Sequence, residues 1–287
     1  MATSERISPA TSLGAVELVV GDLDRMAGFY EQAIGLAAVE RSGSEARLGV
    51  GGAPLVVLAG DPDAPLRPRH STGLFHLAVL VPSRVELARA VRRVVDSGWS
   101  FSGAADHLVS EALYLDDPEG NGIEIYRDRP RDEWQYDGDE LRMATLPLDL
   151  DGVMAELDEE RPSAEGARIG HVHLQVAEIP GTETFYERGL GLDVTTRRYP
   201  GALFLSAGGY HHHVGTNTWG SAGAPPPPDG ARGLRRYTVV VPDEAELARV
   251  AERLGSAGRD PRQVDGGLEV VDPSGNHALV TTDGAGS

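Results

Sequence analysis

The chain of 287 residues is long enough for two domains of ordinary size, each with its own hydrophobic core. It carries 26 basic and 44 acidic residues, a formal net charge of −18 that repels phosphate backbones and anionic lipid surfaces. Nucleic acid and membranes are therefore poor candidates as partners.

Cysteine is absent, which excludes a disulfide framework, a thiolate metal site and a cysteine nucleophile. Any bound metal must then be held by histidine and carboxylate. The first residues lack the apolar segment of a signal peptide, and no later stretch reaches the roughly 18 apolar residues of a membrane span. We therefore expect a cytoplasmic protein, and a homo-oligomer is compatible with the sequence.

The predicted elements follow one pattern along the chain. An apolar strand, VELVV (16–20), opens the first unit, and HLAVLV (76–81) opens the second. The helix predicted at Ser83–Ser97 has an apolar face made by Val85, Leu87, Ala88, Val91, Val94 and Val95. Short strands separated by Gly, Asp-Pro and Gly-Asn turns follow each helix. The unit is one strand, one helix and three antiparallel strands, βαβββ.

This unit recurs four times. Residues 13–36 align without a gap on residues 169–192, and both segments contain Phe-Tyr-Glu and close with Gly-Leu. Residues 73–90 match 233–250, and residues 115–126 match 270–281. The chain therefore has two paralogous halves of two modules each.

The repeat suggests a division into residues 1–126, a linker at 127–167 and residues 168–287. The linker has a predicted helix near Leu148–Leu157. With roughly 40 residues it exceeds the usual connection between elements, so it is either packed against the modules or a spacer.

The motifs of this tandem resemble those of the vicinal oxygen chelate superfamily of glyoxalases, bleomycin resistance proteins and extradiol dioxygenases. They are the first strand of the form GH-V-L-V, FYE and GL on the helix, and DP-GN-IE before the last strand. The resemblance implies an α+β fold in which four βαβββ modules pair into two half-barrel cups. LSAGGYHHHVGTNTW (205–219) and DHLVSEALYLDDPEGNGIE (106–124) further resemble the type I extradiol group, the bacterial catechol 2,3-dioxygenases. That likeness implies one iron(II) bound by two histidines and a carboxylate, with an open face.

In this superfamily, metal ligands come from a fixed position on a module's first strand and from a Glu on its last strand. The first-strand position is occupied in chain order by Ala15, His76, His171 and Arg236. The last-strand position is Glu124 in module two and Leu279 in module four. Only His76, His171 and Glu124 can bind a cation, and neither half supplies all three.

We therefore predict that module two faces module three and that His76, Glu124 and His171 bind the metal. Modules one and four then form a cup without metal, where Arg236 does not repel a cation. The alternative is pairing within each half, with Glu17 joining His76 and Glu124 as the third ligand.

The three consecutive histidines, His211–His213, fall on the predicted last strand of module three. At most two can face the cup, because successive side chains on a strand alternate in direction. Alignment of Gly208-Gly209 with the Gly-Asn turns puts His212 where Glu124 lies in module two, so we expect His212 to face the metal. If the register is off by one, His213 takes its place. An exposed polar patch is the alternative interpretation.

The resemblance assigns roles to three of these side chains. The extradiol family has an acid–base histidine on this strand, the role we expect for His212. Tyr114 matches a tyrosine that hydrogen-bonds a substrate oxygen, and His107 matches a histidine on the preceding loop. His173 is expected to be a core or supporting residue rather than a ligand.

The predicted function is extradiol cleavage of catechol or a substituted catechol with O2, giving a product of the 2-hydroxymuconic semialdehyde type. Iron(II) is the expected cofactor, and manganese(II) suits the same ligands. Two alternatives are a glyoxalase-like lyase or isomerase, which normally needs four protein ligands, and a metal-free drug-binding protein of the same fold.

Overall fold

The computed structural model of the chain describes residues 6–158 and 164–282. In that part, all four modules have the order of one strand, one helix and three strands. Module one comprises β1 (Ser12–Val20), α1 (Leu23–Phe29), β2 (Ala37–Arg41), β3 (Glu45–Val50) and β4 (Ala53–Gly60). Module two comprises β5 (Gly73–Leu80), α2 (Arg84–Asp96), β6 (Gly103–Asp106), β7 (Ser110–Asp116) and β8 (Gly122–Asp128).

The described part of the linker contains a 3-10 turn (Arg131–Glu133), β9 (Tyr136–Asp137), β10 (Glu140–Leu141) and α3 (Leu150–Met154). Module three comprises β11 (Arg168–Gln175), α4 (Ile179–Glu183), β12 (Asp193–Thr196), β13 (Ala202–Ser206) and β14 (Val214–Asn217). Module four comprises β15 (Gly233–Val240), α5 (Glu244–Ser256), β16 (Arg262–Val264), β17 (Gly267–Val271) and β18 (His277–Thr281). Two of the helices continue into a π-helical segment: α1 at Tyr30–Ile34 and α4 at Thr184–Leu190.

Each of the two eight-stranded sheets combines one module from each half. Modules one and four form a sheet of order β16-β17-β18-β15-β1-β4-β3-β2, and modules two and three form β12-β13-β14-β11-β5-β8-β7-β6. The first strands of the modules meet antiparallel in the middle, β1 with β15 and β5 with β11. The predicted pairing of module two with module three across the halves is therefore the pairing found.

Local sequence signals set the helix bounds. Asp22, Ser83 and Asp243 precede α1, α2 and α5, and each side chain accepts the backbone N–H three residues on. Such caps typically stabilise a helix by about 1 kcal/mol. The apolar face of α2 is buried at Leu87 and Val94, but Val95 is exposed. The inward position predicted for Val95 is thus wrong, because Val95 is rotated 100° from its buried neighbour Val94.

The repeated FYE and DP-GN motifs stabilise the contact between successive modules. In the turn before β8, Asp117 accepts the N–H groups of Glu119 and Asn121, and the Asn121 amide donates to the same carboxylate. The Tyr30 hydroxyl of module one donates to Asp117 at 3.2 Å, and Tyr186 of module three repeats this bond to Asp272 of module four. The motifs that reveal the repeat are therefore structural.

The linker packs against module two. Leu146 exchanges both backbone hydrogen bonds with Asp106 at the end of β6, and the Ala144 carbonyl contacts the His107 ring. The helix expected near Leu148–Leu157 is present but shorter, with five residues, Leu150–Met154. Among the described residues, no helix combines the length and apolar character needed to cross a membrane.

Candidate metal centre

Strand register brings three potential ligands together. In the sheet of modules two and three, Ala78 on β5 pairs with Glu124 on β8 and with His171 on β11. The small Ala78 therefore lies between two long polar side chains in one row of the sheet. His76 is two residues before Ala78 and so points to the same face. Residues from both halves thus converge at the joint between the modules.

The donor atoms of these residues lie within hydrogen-bond distance of each other. The Glu124 Oε2 atom is 3.0 Å from His76 Nε2 and 3.2 Å from His171 Nε2, and the two Nε2 atoms are 3.3 Å apart. All three side chains are buried. Ligands ~2.1 Å from a cation and at right angles are ~3.0 Å apart, so the three atoms fit one face of a divalent ion.

The protonation states also suit a cation. Burial lowers the pKa of His171 to about 4, although the Glu124 carboxylate partly opposes this shift. Burial raises the pKa of Glu124, but the charges and hydrogen bonds of His171 and His76 outweigh it and hold this pKa well below its usual value. At neutral pH the site therefore offers a carboxylate and an unprotonated imidazole, which are ligands of a two-histidine, one-carboxylate set.

Glu17, the alternative third ligand, lies in the other sheet. Its carboxylate accepts a hydrogen bond from Arg236 at 2.6 Å, and Arg235 is 3.9 Å away. Glu17 and Arg236 are paired residues of β1 and β15. The alternative with Glu17 as a ligand is thus wrong, because the modules pair across the halves and Arg236 binds the Glu17 carboxylate.

His212 faces the cavity as predicted, but from a loop and not from a strand. His211–His213 precede β14, which begins at Val214, so the prediction that they lie on the strand is wrong. The register of β14 on β11 pairs Val172 with Val214, which puts Gly215 at the position equivalent to Glu124. A Cβ atom at Gly215 would be 3.1 Å from the His173 ring, so a larger residue would displace that ring.

From the loop, the His212 ring reaches the site directly. Its centroid is 4.0 Å from that of His171, and the side chain is buried. Burial and the neighbouring imidazoles, His171 first, lower the pKa of His212 well below its usual value. His212 is therefore neutral at pH 7. The histidine run is buried at His211 and His212, which excludes the exposed-patch interpretation for these two.

His107 and Tyr114 form a hydrogen-bonded pair beside the three donors. The Ala144 carbonyl can only accept, so His107 Nδ1 donates to it at 2.7 Å and His107 Nε2 accepts from the Tyr114 hydroxyl at 2.6 Å. Burial and the Glu124 carboxylate raise the pKa of Tyr114 well above its ordinary value. Tyr114 is thus a neutral phenol whose proton points to His107, which leaves its oxygen lone pairs for a donor in the cavity.

A cavity of about 280 Å³ lies beside the three potential ligands. His76, Glu124, Tyr114, His107 and His212 contribute its polar side. The rest of its wall is mostly apolar and aromatic, and includes Phe75, Val109, Met143, Phe204 and Trp219. No Lys, Arg or Asp side chain of the described residues lines it.

His173, expected from the sequence to be a core or supporting residue, is buried and lines the cavity. Other residues of the cavity wall are absent from the sequence-based predictions. Met143 and Thr145 come from the linker and Tyr199 from the loop before β13, and no motif marks them. The linker is thus part of the site wall.

His213 does not line the cavity and allows a test of burial at this loop. Its Nδ1 atom accepts the Ala207 N–H at 3.1 Å, and burial, then His211 and His171, lower its pKa to about 3. An unfolded histidine has a pKa of ~6.5, so the unfolded chain takes up this proton first as the pH falls. Between pH 7.5 and 5.5 this residue should lower the free energy of unfolding by up to about 1.4 kcal/mol.

The matched variant is His213→Asn, whose Oδ1 can accept the same N–H and does not titrate. Urea unfolding of metal-free protein should show a smaller loss of stability in the variant than in the wild type over this pH interval. Equal losses in both proteins would contradict the burial of a neutral His213.

Comparison with known proteins adds an independent observation. A family model for the glyoxalase/bleomycin resistance protein/dioxygenase superfamily matches residues 12–125 and 168–278. The chain is 42% identical over 270 residues to a catechol-2,3-dioxygenase of Bacillus subtilis (strain 168), covering 92% of this chain and 94% of the relative.

Solved structures show the same fold at low sequence identity. A protein of Bacillus subtilis subsp. subtilis strain 168 matches with a TM-score of 0.65 and 14% identity, over 96% of this chain and 86% of the other. Glyoxalase I from Zea mays matches with a TM-score of 0.58 and 16% identity, over 94% and 92% of the two chains.

Proposed function

The chain belongs to the glyoxalase/bleomycin resistance protein/dioxygenase superfamily, and from this membership we propose that it cleaves the ring of a catechol beside its two hydroxyl groups. The co-substrate is O2, and the product is of the 2-hydroxymuconic semialdehyde type. The observation that carries the proposal is the convergence of His76 Nε2, His171 Nε2 and Glu124 Oε2 within 3.3 Å, with His76 and Glu124 lining an aromatic cavity. The catechol-2,3-dioxygenase named above is 42% identical, over 92% of this chain and 94% of its own.

In this proposal His76, Glu124 and His171 hold iron(II), and manganese(II) suits the same donors. The bound ion supplies a site where both diol oxygens and O2 are held side by side and negative charge on oxygen is stabilised. The protein residues do the remaining work. Phe75, Phe204 and Trp219 line the cavity and offer apolar contacts to the aromatic ring of the substrate.

Proton transfer falls to His212 and Tyr114. His212 is neutral, so it can take the proton of one catechol hydroxyl and return it when the ring opens. The Tyr114 oxygen, whose own proton is directed at His107, accepts a hydrogen bond from the second hydroxyl. These two contacts hold the diol edge toward the three ligands and leave the substituted side of the ring against the apolar wall.

The lyase alternative lacks a ligand. A fourth protein ligand would come from module three at the position equivalent to Glu124, and that position is Gly215, which has no side chain. The metal-free binding alternative does not explain why two imidazoles and a carboxylate are buried within 3.3 Å of each other. Both alternatives are thus less well supported than ring cleavage.

The test is turnover of catechol by protein loaded with iron(II) under anaerobic conditions and then given O2. We expect a yellow ring-fission product and uptake of one O2 per catechol. Glu124→Gln protein treated in the same way is the control and should give neither. Loaded wild-type protein that consumes no O2 would contradict the proposal.

The wall of the cavity also favours uncharged substrates. An apolar cavity of roughly 150 Å³ holds a benzene ring, so about 280 Å³ leaves room for a substituent. No cation of the described residues lines the cavity, and an unpaired buried carboxylate costs more than ~3 kcal/mol. We therefore propose catechol and alkyl- or aryl-substituted catechols as the substrates.

Accordingly, 3,4-dihydroxybenzoate should have a kcat/KM at least ~100-fold lower than 4-methylcatechol, because each 1.4 kcal/mol is a factor of ten. Met143→Arg, which adds a cation to the wall, should narrow this ratio. Steady-state O2 uptake with both substrates measures it. A ratio near one in the wild type would contradict an uncharged binding site.

A further inference from the structure

A chain of hydrogen-bonded side chains extends from His212 away from the cavity. His212 Nδ1 is 2.8 Å from His211 Nδ1, and His211 Nε2 is 2.9 Å from the Asp128 carboxylate. The His211 ring is fully buried, whereas Asp128 is 26% exposed and lines a separate groove of about 260 Å³. The chain therefore connects a cavity residue to a carboxylate at the surface.

The donors and acceptors of this chain can be assigned from one end to the other. The Asp128 carboxylate only accepts, and it also receives the Tyr210 hydroxyl at 3.1 Å. A neutral His211 therefore donates through Nε2, and its Nδ1 accepts. His212 then donates through Nδ1. The remaining ring nitrogen of His212, Nε2, carries a lone pair and has no hydrogen-bond partner among the described residues.

We propose that Asp128 and His211 are positioning residues that fix His212 in the tautomer with an unprotonated Nε2 available to the cavity. The consequence for catalysis rests on the proposed ring cleavage. In that reaction Nε2 of His212 takes a catechol hydroxyl proton, which breaks the O–H bond and forms N–H, and it later returns the same proton to the product. The opposite tautomer carries a proton on Nε2 and cannot accept another there.

This arrangement follows the general logic of a carboxylate that orients an imidazole, which then presents the correct nitrogen to its substrate. Here a second imidazole stands between the carboxylate and the acting histidine. The Asp128 carboxylate is therefore two hydrogen bonds away from the cavity and contacts neither substrate nor metal ligand.

The direct test is the tautomer of His212 in uniformly 15N-labelled protein. A long-range 1H–15N correlation spectrum, with the His212 signals identified by their loss in His212→Gln, should show Nδ1 protonated and Nε2 unprotonated. A proton on Nε2 in the wild type would overturn the proposal. Because this readout needs neither metal nor turnover, it decides the tautomer even if the protein fails to cleave catechol.

The second test is Asp128→Asn, with Asp128→Glu as the restoring variant. An amide can donate to His211 Nε2 and so reverse both tautomers. We expect kcat for catechol to fall at least 10-fold, KM and iron(II) content to change less than 2-fold, and Asp128→Glu to recover most of the rate. The exposed Asp116→Asn on the same sheet removes the same charge and is the matched control. Unchanged kcat in Asp128→Asn, or an equal loss in both Asn variants, would contradict the positioning role.

Discussion

His171→Ala is expected to weaken iron(II) binding by more than about 100-fold and to reduce ring cleavage below detection. Loss of a supporting residue around a metal ligand typically costs 10–100-fold in affinity, and loss of a ligand itself should cost more. His171 is the potential ligand that comes from module three. Its Nε2 atom lies 3.2 Å from Glu124 Oε2 and 3.3 Å from His76 Nε2. Iron retained after anaerobic gel filtration measures the effect.

Glu17→Ala is the matched control for this substitution. Glu17 pairs with Arg236 in the sheet of modules one and four, at the position that a within-half site would use. We expect this variant to retain one iron per chain. Iron lost from Glu17→Ala but retained in His171→Ala would contradict the site between the halves.

His212→Gln is expected to lower kcat for catechol by about 10²- to 10⁴-fold, the range typical of general acid–base catalysis. Glutamine has similar size and can still donate to His211, but it has no nitrogen that accepts a proton. The iron(II) content should remain at the wild-type value, because His212 is not among the three converging donors. Single-turnover product formation in the loaded variant measures the loss.

His213→Asn is the control here, because His213 neighbours His212 and lies outside the cavity wall. We expect its kcat to stay within 3-fold of the wild type. A large loss in His213→Asn with little loss in His212→Gln would mean that the register of the loop is misassigned.

Much of the fold follows from the repeat and from simple exclusions. The four βαβββ units can be read from the alternation of apolar strands and an amphipathic helix, and the structure confirms them. The pairing of modules across the halves could be predicted because Ala15, Arg236 and Leu279 cannot be ligands. The division into residues 1–126, 127–167 and 168–287 stays a prediction, since each sheet draws on both halves.

Other features could not be predicted, for definite physical reasons. A Gly-Gly pair does not fix the length of the loop that follows it. Its alignment with the Gly-Asn turns therefore assigned to His212 the strand position that Gly215, three residues later, occupies. Side chains from loops, such as Tyr199 and the linker residue Met143, reach the cavity through tertiary packing that no periodicity records. The Asp128–His211 contact joins residues 83 apart in sequence and is likewise invisible there.

The two sheets differ in the polar side chains at their joints. The sheet of modules two and three has His76, Glu124 and His171 at its joint, whereas the other sheet has an ion pair, Glu17 with Arg236. The ion pair neutralises the carboxylate internally. The Glu17 carboxylate is therefore not free to bind a cation, and the expectation that this cup is without metal stays a prediction.

The most direct measurement is an anomalous difference map at the iron edge from crystals of protein loaded with iron(II). We predict one peak per chain, within bonding distance of His76 Nε2, Glu124 and His171 Nε2. A peak at any other group of residues, or none at these three in iron-loaded crystals, would contradict a metal centre shared between the two halves.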